Sequence, residues 1–439
     1  MLLHELDYDL PEELIATRAV EPRDAARMLV AQRSDDRVLL HRHVRDLPQI
    51  LRAGDLLVLN TSRVIPAWLE GHRVGTGGRF TGLYLGVASG AWGEGRGQEP
   101  GAEPNPLRLD AARLTPDPPP ASHPDPEPRG RPVALWRVLL RGGHLRPGAV
   151  LRVEGAEGGE PLEGQDATPG DQAPRPSLDA PHSPDTGVRL QLLAKDDEEP
   201  GGWIVRVFAD GPAGSEALLE RIGRTPIPPY IRAARRHAGL AIPDSEDRAR
   251  YQTLFAAAQA GPDPVGSVAA PTAGLHLTAG LLGSLRAHGI GRADVSLHVG
   301  SGTFRPVESP VVEEHPMHSE RCGMTRGTRE AILRARAAGG RVICVGTTSA
   351  RTLETFAQRE EGGLGYEEWV ETRMLITPGY RWRCVDGLLT NFHLPRSTLL
   401  AMVAAMFRGG MERARTIYAE AIRERYRFFS YGDAMLVMP

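Results

Sequence analysis

Between residues 64 and 212 the chain reads as short strands with no helical periodicity, while on either side strand and helix alternate. This discontinuity constrains the fold more than any single motif. Strand–helix alternation builds a parallel or mixed sheet covered by helices. A helix-free block of about 150 residues has no place in those layers and must close on itself. The expected fold is therefore an α/β core, a mixed sheet with flanking helices, assembled from residues 1–63 and 213–439. A small β domain at 64–212 is inserted into it. Inside the block, LWRVLLRGGHLRPGAVLRVE and VRLQLLAKDDEEPGGWIVRVF each read as strand, turn, strand. About six short strands predict a barrel or a sandwich.

Two segments of the block break even that pattern. Residues 88–132 hold 11 prolines and 6 glycines in 45 positions, and residues 154–187 hold 6 of each in 34. Neither has the apolar content to offset its ordering entropy, so both are expected to be disordered insertions at hairpin tips. They also distort the charge. The formal net charge is -3, but the two segments carry 6 basic and 15 acidic residues, leaving the other 360 residues at +6. The remainder is mildly basic, which suits an RNA partner.

Residue counts exclude several chemistries. Lys195 is the only lysine, in a turn-like AKDDEEPGG, so a Walker-type phosphate loop and lysine imine chemistry are not supported. Cys322, Cys344 and Cys384 are far apart with no CxxC, so no disulfide scaffold or zinc site is expected. The first ten residues lack a signal-peptide layout, and no apolar run reaches the ~18 residues that span a bilayer. A cytoplasmic protein without membrane association is expected.

In the flanking parts, GDLLVLN (54–60), SVAAPTAGLHLTAGLLGSLRAHG (267–289), DVSLHVGSGTF (294–304) and RVICVGTTSARTLETFA (341–357) each read as a strand entering a turn, three of them with Gly-rich turns. Two C-terminal helices follow. Ligands of open α/β sheets bind beyond the carboxyl ends of strands, which directs attention to four segments. The first holds Thr272, Gly274 and His276, and the second holds His298, Gly300 and Gly302. The third holds Thr347, Thr348, Ser349 and Arg351, and the last holds Phe429, Tyr431 and Asp433. Each has a plainer explanation: hydroxyls before a helix are N-caps, a strand histidine packs in the core, and an Asp beside Gly makes a turn. The single GxG lacks the third glycine of a dinucleotide fingerprint.

Taken in order, PRDAARMLV (22–30), GDLLVLNTSRVIPA (54–67), RTPIPPYI (224–231), DRARYQTLFA (247–256), GSVAAPTAGLHLT (266–278), LHVGSGTFRPV (297–307), MHSE (317–320), VGTTSARTLET (345–355), DGLLTNFHLPRSTLLAMVAA (386–405) and YRFFSYGDAML (426–436) form one pattern. It resembles the S-adenosylmethionine:tRNA ribosyltransferase-isomerase family of the queuosine pathway. The resemblance implies an α/β core with an inserted β-barrel. It also implies transfer and isomerisation of the ribosyl part of S-adenosylmethionine onto 7-aminomethyl-7-deazaguanine at the tRNA wobble position. Epoxyqueuosine forms, and adenine and methionine leave. The expected partners are S-adenosylmethionine, consumed as a substrate, and a tRNA with a GUN-type anticodon. No metal or cofactor and a monomeric state are expected.

On that resemblance, His276, His298 and Asp433 are candidates for proton transfer, since histidine titrates near neutrality. Thr272, Gly274, Gly300, Gly302, Thr347, Thr348, Ser349 and Arg351 are candidates for binding substrate. Asn391 is a candidate for reading a base edge, and Phe392, Phe429 and Tyr431 for stacking. Arg224, Arg232, Arg235 and Arg236 form a candidate RNA-binding cluster. Two rival classes share these features. A methyltransferase would release adenosylhomocysteine, and a non-catalytic RNA-binding protein would consume no S-adenosylmethionine.

Overall fold

The computed structural model describes residues 1–34, 39–88, 130–155, 185–211, 214–256, 266–300, 302, 307–359, 364–365 and 369–439. The two Pro/Gly-rich insertions fall almost wholly outside these residues. The chain groups into one unit of Met1–Val64, Ile227–Gln259 and Gly266–Pro439, and another built on Ile65–Pro226.

In chain order the strands are β1 (Arg27–Gln32), β2 (Leu39–His43), β3 (Leu56–Asn60), β4 (Trp68–Arg73), β5 (Arg79–Val87), β6 (Arg131–Gly142), β7 (Val150–Glu154) and β8 (Asp185–Lys195). They continue as β9 (Gly202–Ala209), β10 (Gly291–Leu297), β11 (Glu320–Met324), β12 (Val342–Val345), β13 (Val370–Thr372), β14 (Gly387–Asn391) and β15 (Ala434–Met438). The helices are α1 (Leu47–Ile50), α2 (Ser215–Ile222), α3 (Pro229–His237), α4 (Asp244–Arg250), α5 (Ala279–Ala287), α6 (Arg326–Ala337), α7 (Thr347–Arg359), α8 (Thr398–Ala405) and α9 (Gly410–Arg423).

The first unit is a nine-stranded mixed sheet in the order β13-β11-β10-β3-β12-β14-β15-β1-β2. Its centre, β10-β3-β12-β14, is parallel throughout. Parallel strands buried on both faces need continuous apolar runs, and LLVLN of β3 and VICV of β12 supply them, with every residue buried. Alternate residues serve the two faces. Leu56, Val58, Val342 and Cys344 join Ile332, Leu353, Phe356, Leu400 and Ile417 of α6–α9. Leu57, Leu59, Ile343 and Val345 join Leu47, Leu281 and Leu285 of α1 and α5 on the other face.

The second unit is a closed barrel, β4-β5-β6-β9-β8-β7, antiparallel at every step, with β7 returning to β4. Closure leaves no free sheet edge. Trp136, Trp203 and Tyr84 fill it as almost fully buried side chains, with Tyr84 edge-on to Trp136 at 5.1 Å between ring centroids. Gly71 makes the β4–β7 seam possible, since a Cβ there would lie 2.0 Å from the Arg152 carbonyl oxygen.

One local expectation is corrected. SVAA (267–270) forms no strand; Ser267 makes an isolated bridge to Val64, and a 3-10 turn over Thr272–His276 precedes α5. Pro271 lacks the N–H that a ladder needs, which stops the run. The strand read in DVSLHVGSGTF ends at Leu297, next to His298, where the sequence places its end.

Candidate active site

The parallel strands β10, β12 and β14 end on one edge of the sheet, and the segments that follow them converge there. Val299 follows β10, Gly346 to Thr348 follow β12, and Thr390 to Leu394 finish β14 and continue from it. Thr272 and Ala273 of the 3-10 turn, Tyr230 of α3, and Phe429 and Ser430 complete the walls. The cavity is narrow, about 50 Å³, room for a few waters.

Local backbone geometry places these side chains. Gly346 has φ +90°, a left-handed conformation that suits glycine, and it turns the chain from β12 into α7. Ser349 Oγ then donates to the Val345 carbonyl at 2.8 Å, tying the first turn of α7 to its strand. Phe429 is also left-handed, φ 70°, which is strained for a bulky residue. Its N–H donates to the Phe392 carbonyl at 3.1 Å. Gly432 allows this turn, because a Cβ there would fall 2.4 Å from the Arg427 carbonyl oxygen.

Asn391, at the end of β14, joins the two halves of the wall. Its Nδ2 lies 3.1 Å from the Phe429 carbonyl oxygen and 3.2 Å from His276 Nε2. A carbonyl only accepts, which fixes the amide orientation; His276 Nε2 therefore accepts, and its ring proton sits on Nδ1. Asn391 Oδ1 is buried without a partner among the described residues, and so is Thr348 Oγ1.

Among the described lining residues none carries a formal charge, and only Tyr230 and His393 titrate. Burial pushes the Tyr230 phenol well above its ordinary range; its hydroxyl and that of Ser430 are hydrogen-bonded. His393 Nε2 is 2.8 Å from Thr390 Oγ1, and burial pushes this histidine down to about 3. His276 is lowered to about 4, chiefly by burial, against the pull of Asp433 and with help from Arg427 and Arg23. Both are neutral imidazoles at neutral pH.

The cavity gathers six of the residues proposed from sequence: Thr272, Thr347, Thr348, Asn391, Phe392 and Phe429. His276 lies behind it, reaching it through Asn391. His298 does not line it, but stacks on Trp369 with centroids 5.2 Å apart, and burial followed by the Arg321 charge lowers it to about 4. Gly300 donates its N–H to Glu320 at 3.2 Å, while Gly274 and Gly302 are packing positions. A Cβ on Gly274 would be 2.8 Å from Phe255 Cζ, and one on Gly302 would be 2.3 Å from His318 Cδ2. Much of the surrounding GSGTFRPV lies outside the described residues.

Several expected roles are corrected because the side chain is committed elsewhere. Arg351 is buried in an ion pair with Glu320 rather than presented to an anion. Asp433 accepts from the backbone N–H of Arg27 and Arg427 and pairs with the Arg427 guanidinium at 2.9 Å, so it holds a turn. Tyr431 packs edge-on against Tyr251, 5.8 Å between centroids. In the arginine cluster, Arg235 is buried and bidentate to Asp247 at 2.7 and 2.8 Å. Arg224 donates to the Gly155 carbonyl and faces Glu70 at 3.6 Å. Arg232 is half-buried, and Arg236 remains exposed. His393, Tyr230 and Thr390 were not singled out from sequence, whereas Ser430 was, within RFFSYGDAML. The placement rule that selected His298, a histidine just past a strand end, also fits His393 in TNFHLP.

Among the described residues no group of three or more His, Cys, Asp or Glu side chains could hold a metal ion. No described helix is long and apolar enough to cross a membrane. An uncharged, partly aromatic cavity at the carboxyl ends of parallel strands is the placement that α/β enzymes use for their sites. The chain belongs to the queuosine biosynthesis protein family, whose model matches residues 3–437. It is 42% identical over 435 residues to an S-adenosylmethionine:tRNA ribosyltransferase-isomerase of Rhodopseudomonas palustris, covering 98% of this chain and 96% of that one. A protein of the same name from Moorella thermoacetica is 38% identical, covering 100% of both chains. A solved S-adenosylmethionine tRNA ribosyltransferase from Thermotoga maritima is 26% identical over 99% of this chain and 100% of that one, with a TM-score of 0.44.

Proposed function

We propose that the chain transfers and isomerises the ribosyl moiety of S-adenosylmethionine onto 7-aminomethyl-7-deazaguanine at the wobble position of a tRNA with a GUN-type anticodon. The products are epoxyqueuosine-tRNA, adenine and methionine. The observation that carries this reading is the match to relatives bearing that activity in their names along nearly the whole chain. S-adenosylmethionine is consumed as a substrate, no metal or further cofactor takes part, and the protein works as a cytoplasmic monomer.

The chemistry sets requirements for the site. A sulfonium acidifies the neighbouring ribose 5′ carbon, adenine must leave, and the deazaguanine amine must shed a proton before it attacks. His393 lines the cavity as a neutral imidazole, and His276 is joined to it through Asn391. His393, the histidine that lines the cavity, replaces His298 and Asp433 as the group best placed for proton transfer, and His276 positions Asn391. Thr347 and Thr348 offer hydroxyls at the start of α7, where a helix's first N–H groups have no intrahelical partner. Product analysis tests the reading: incubation with S-adenosylmethionine and precursor-bearing tRNA should release free adenine and methionine. Adenosylhomocysteine instead would identify a methyltransferase.

A further inference from the structure

We propose that the cavity at the ends of β10, β12 and β14 is the adenine subsite, with Asn391 Oδ1 accepting a hydrogen bond from the 6-amino group. This rests on the S-adenosylmethionine reading above and goes beyond it by assigning one end of the substrate to named atoms. Asn391 is only 2% exposed and lines the cavity. Its Nδ2 is engaged by the Phe429 carbonyl and His276, so Oδ1 is the atom left without a partner. A buried acceptor left unpaired is costly, and a ligand N–H removes that cost.

The lining selects the ligand. S-adenosylmethionine carries an ammonium, a carboxylate and a sulfonium at one end and a neutral purine at the other. Burying a charge in an uncharged cavity is strongly unfavourable, whereas a purine buries its faces and needs only a few hydrogen bonds. The Tyr230 and Phe429 rings, 4.8 Å apart between centroids, offer aromatic surface on one side. Thr348 Oγ1, also buried and unpartnered, and the His393 imidazole can serve the ring nitrogens. The deazaguanine substrate shares the exocyclic-amine chemistry. Its aminomethyl group, however, is a cation near neutral pH, and no described lining residue is a carboxylate.

The test is competition for S-adenosylmethionine binding to the full chain in the presence of tRNA lacking the precursor base, using adenine, hypoxanthine and 7-aminomethyl-7-deazaguanine as free bases. Hypoxanthine carries a 6-oxo acceptor where adenine carries a donor. Adenine should displace S-adenosylmethionine at least about tenfold better than hypoxanthine, and Asn391→Ala should narrow that ratio to about twofold. The wild-type ratio needs no variant to fold. Equal competition by adenine and hypoxanthine overturns the assignment, as does displacement by the deazaguanine base and not by adenine. Either result leaves ribosyl transfer to tRNA standing, whereas failure to bind S-adenosylmethionine at all would remove both.

Discussion

His393 and His276 are held neutral by burial, and that has a consequence for stability. Their folded-state values, about 3 and about 4, lie below the ordinary histidine value of 6.5. Above pH 7 neither state of the protein binds the proton, and their contribution is complete. Below about 6.5 the unfolded chain takes up protons that the folded one refuses, so stability falls until the folded values are reached. Between pH 7.5 and pH 5 the loss should be about 2 kcal/mol per histidine. Urea unfolding at the two pH values should show a smaller loss in His393→Gln than in the wild type. Identical losses would mean that His393 is not buried neutral. At this scale the sequence was only partly readable. A hydroxyl at a strand end could be located from pattern alone, which found Thr347 and Thr348, whereas Asn391 entered only through the family resemblance. Whether an arginine faces solvent or an internal carboxylate depends on a partner chosen by tertiary structure. Arg235 in a run of arginines gave no sign of Asp247 twelve residues away.

The elements were more legible where the chemistry is local. VICVGTTSARTLETFA encodes β12, the left-handed glycine and α7 in a single stretch, and the structure has all three. The pairing of β1 with β15 has no such local signature, because RMLVAQ and AMLVM are about four hundred residues apart and meet only in the folded sheet. Barrel closure is legible in part: six strands could be counted, but Gly71 as the residue that lets β7 meet β4 could not. Gly71→Ala should therefore destabilise the barrel by about 1–3 kcal/mol through overpacking against Arg152 and Phe80. The measurement is the denaturation midpoint, with Gly77→Ala for contrast: that glycine has open space around it and a positive φ, so it reports backbone strain alone. A Gly71→Ala midpoint at the wild-type value would mean that the seam has slack the geometry does not show.

At the scale of the whole molecule, the helix-free block inside an α/β chain predicted a β-barrel beside a mixed sheet, and the long polar motifs predicted the family. Net charge misled until the acidic insertions were set apart from the rest. The site drew its walls from α3, the 3-10 turn, the segments after β10 and β12, β14 with the residues after it, and the segment before β15, which only the assembled sheet brings together. The central claim is that this chain remodels a tRNA nucleoside at the expense of S-adenosylmethionine. Its most direct test is to incubate the purified protein with S-adenosylmethionine and tRNA bearing 7-aminomethyl-7-deazaguanine, digest the tRNA, and weigh its nucleosides. The account predicts loss of the precursor nucleoside and matching appearance of epoxyqueuosine. Folded protein that binds both substrates yet leaves the precursor unchanged, or adds only a methyl group to the tRNA, would contradict it.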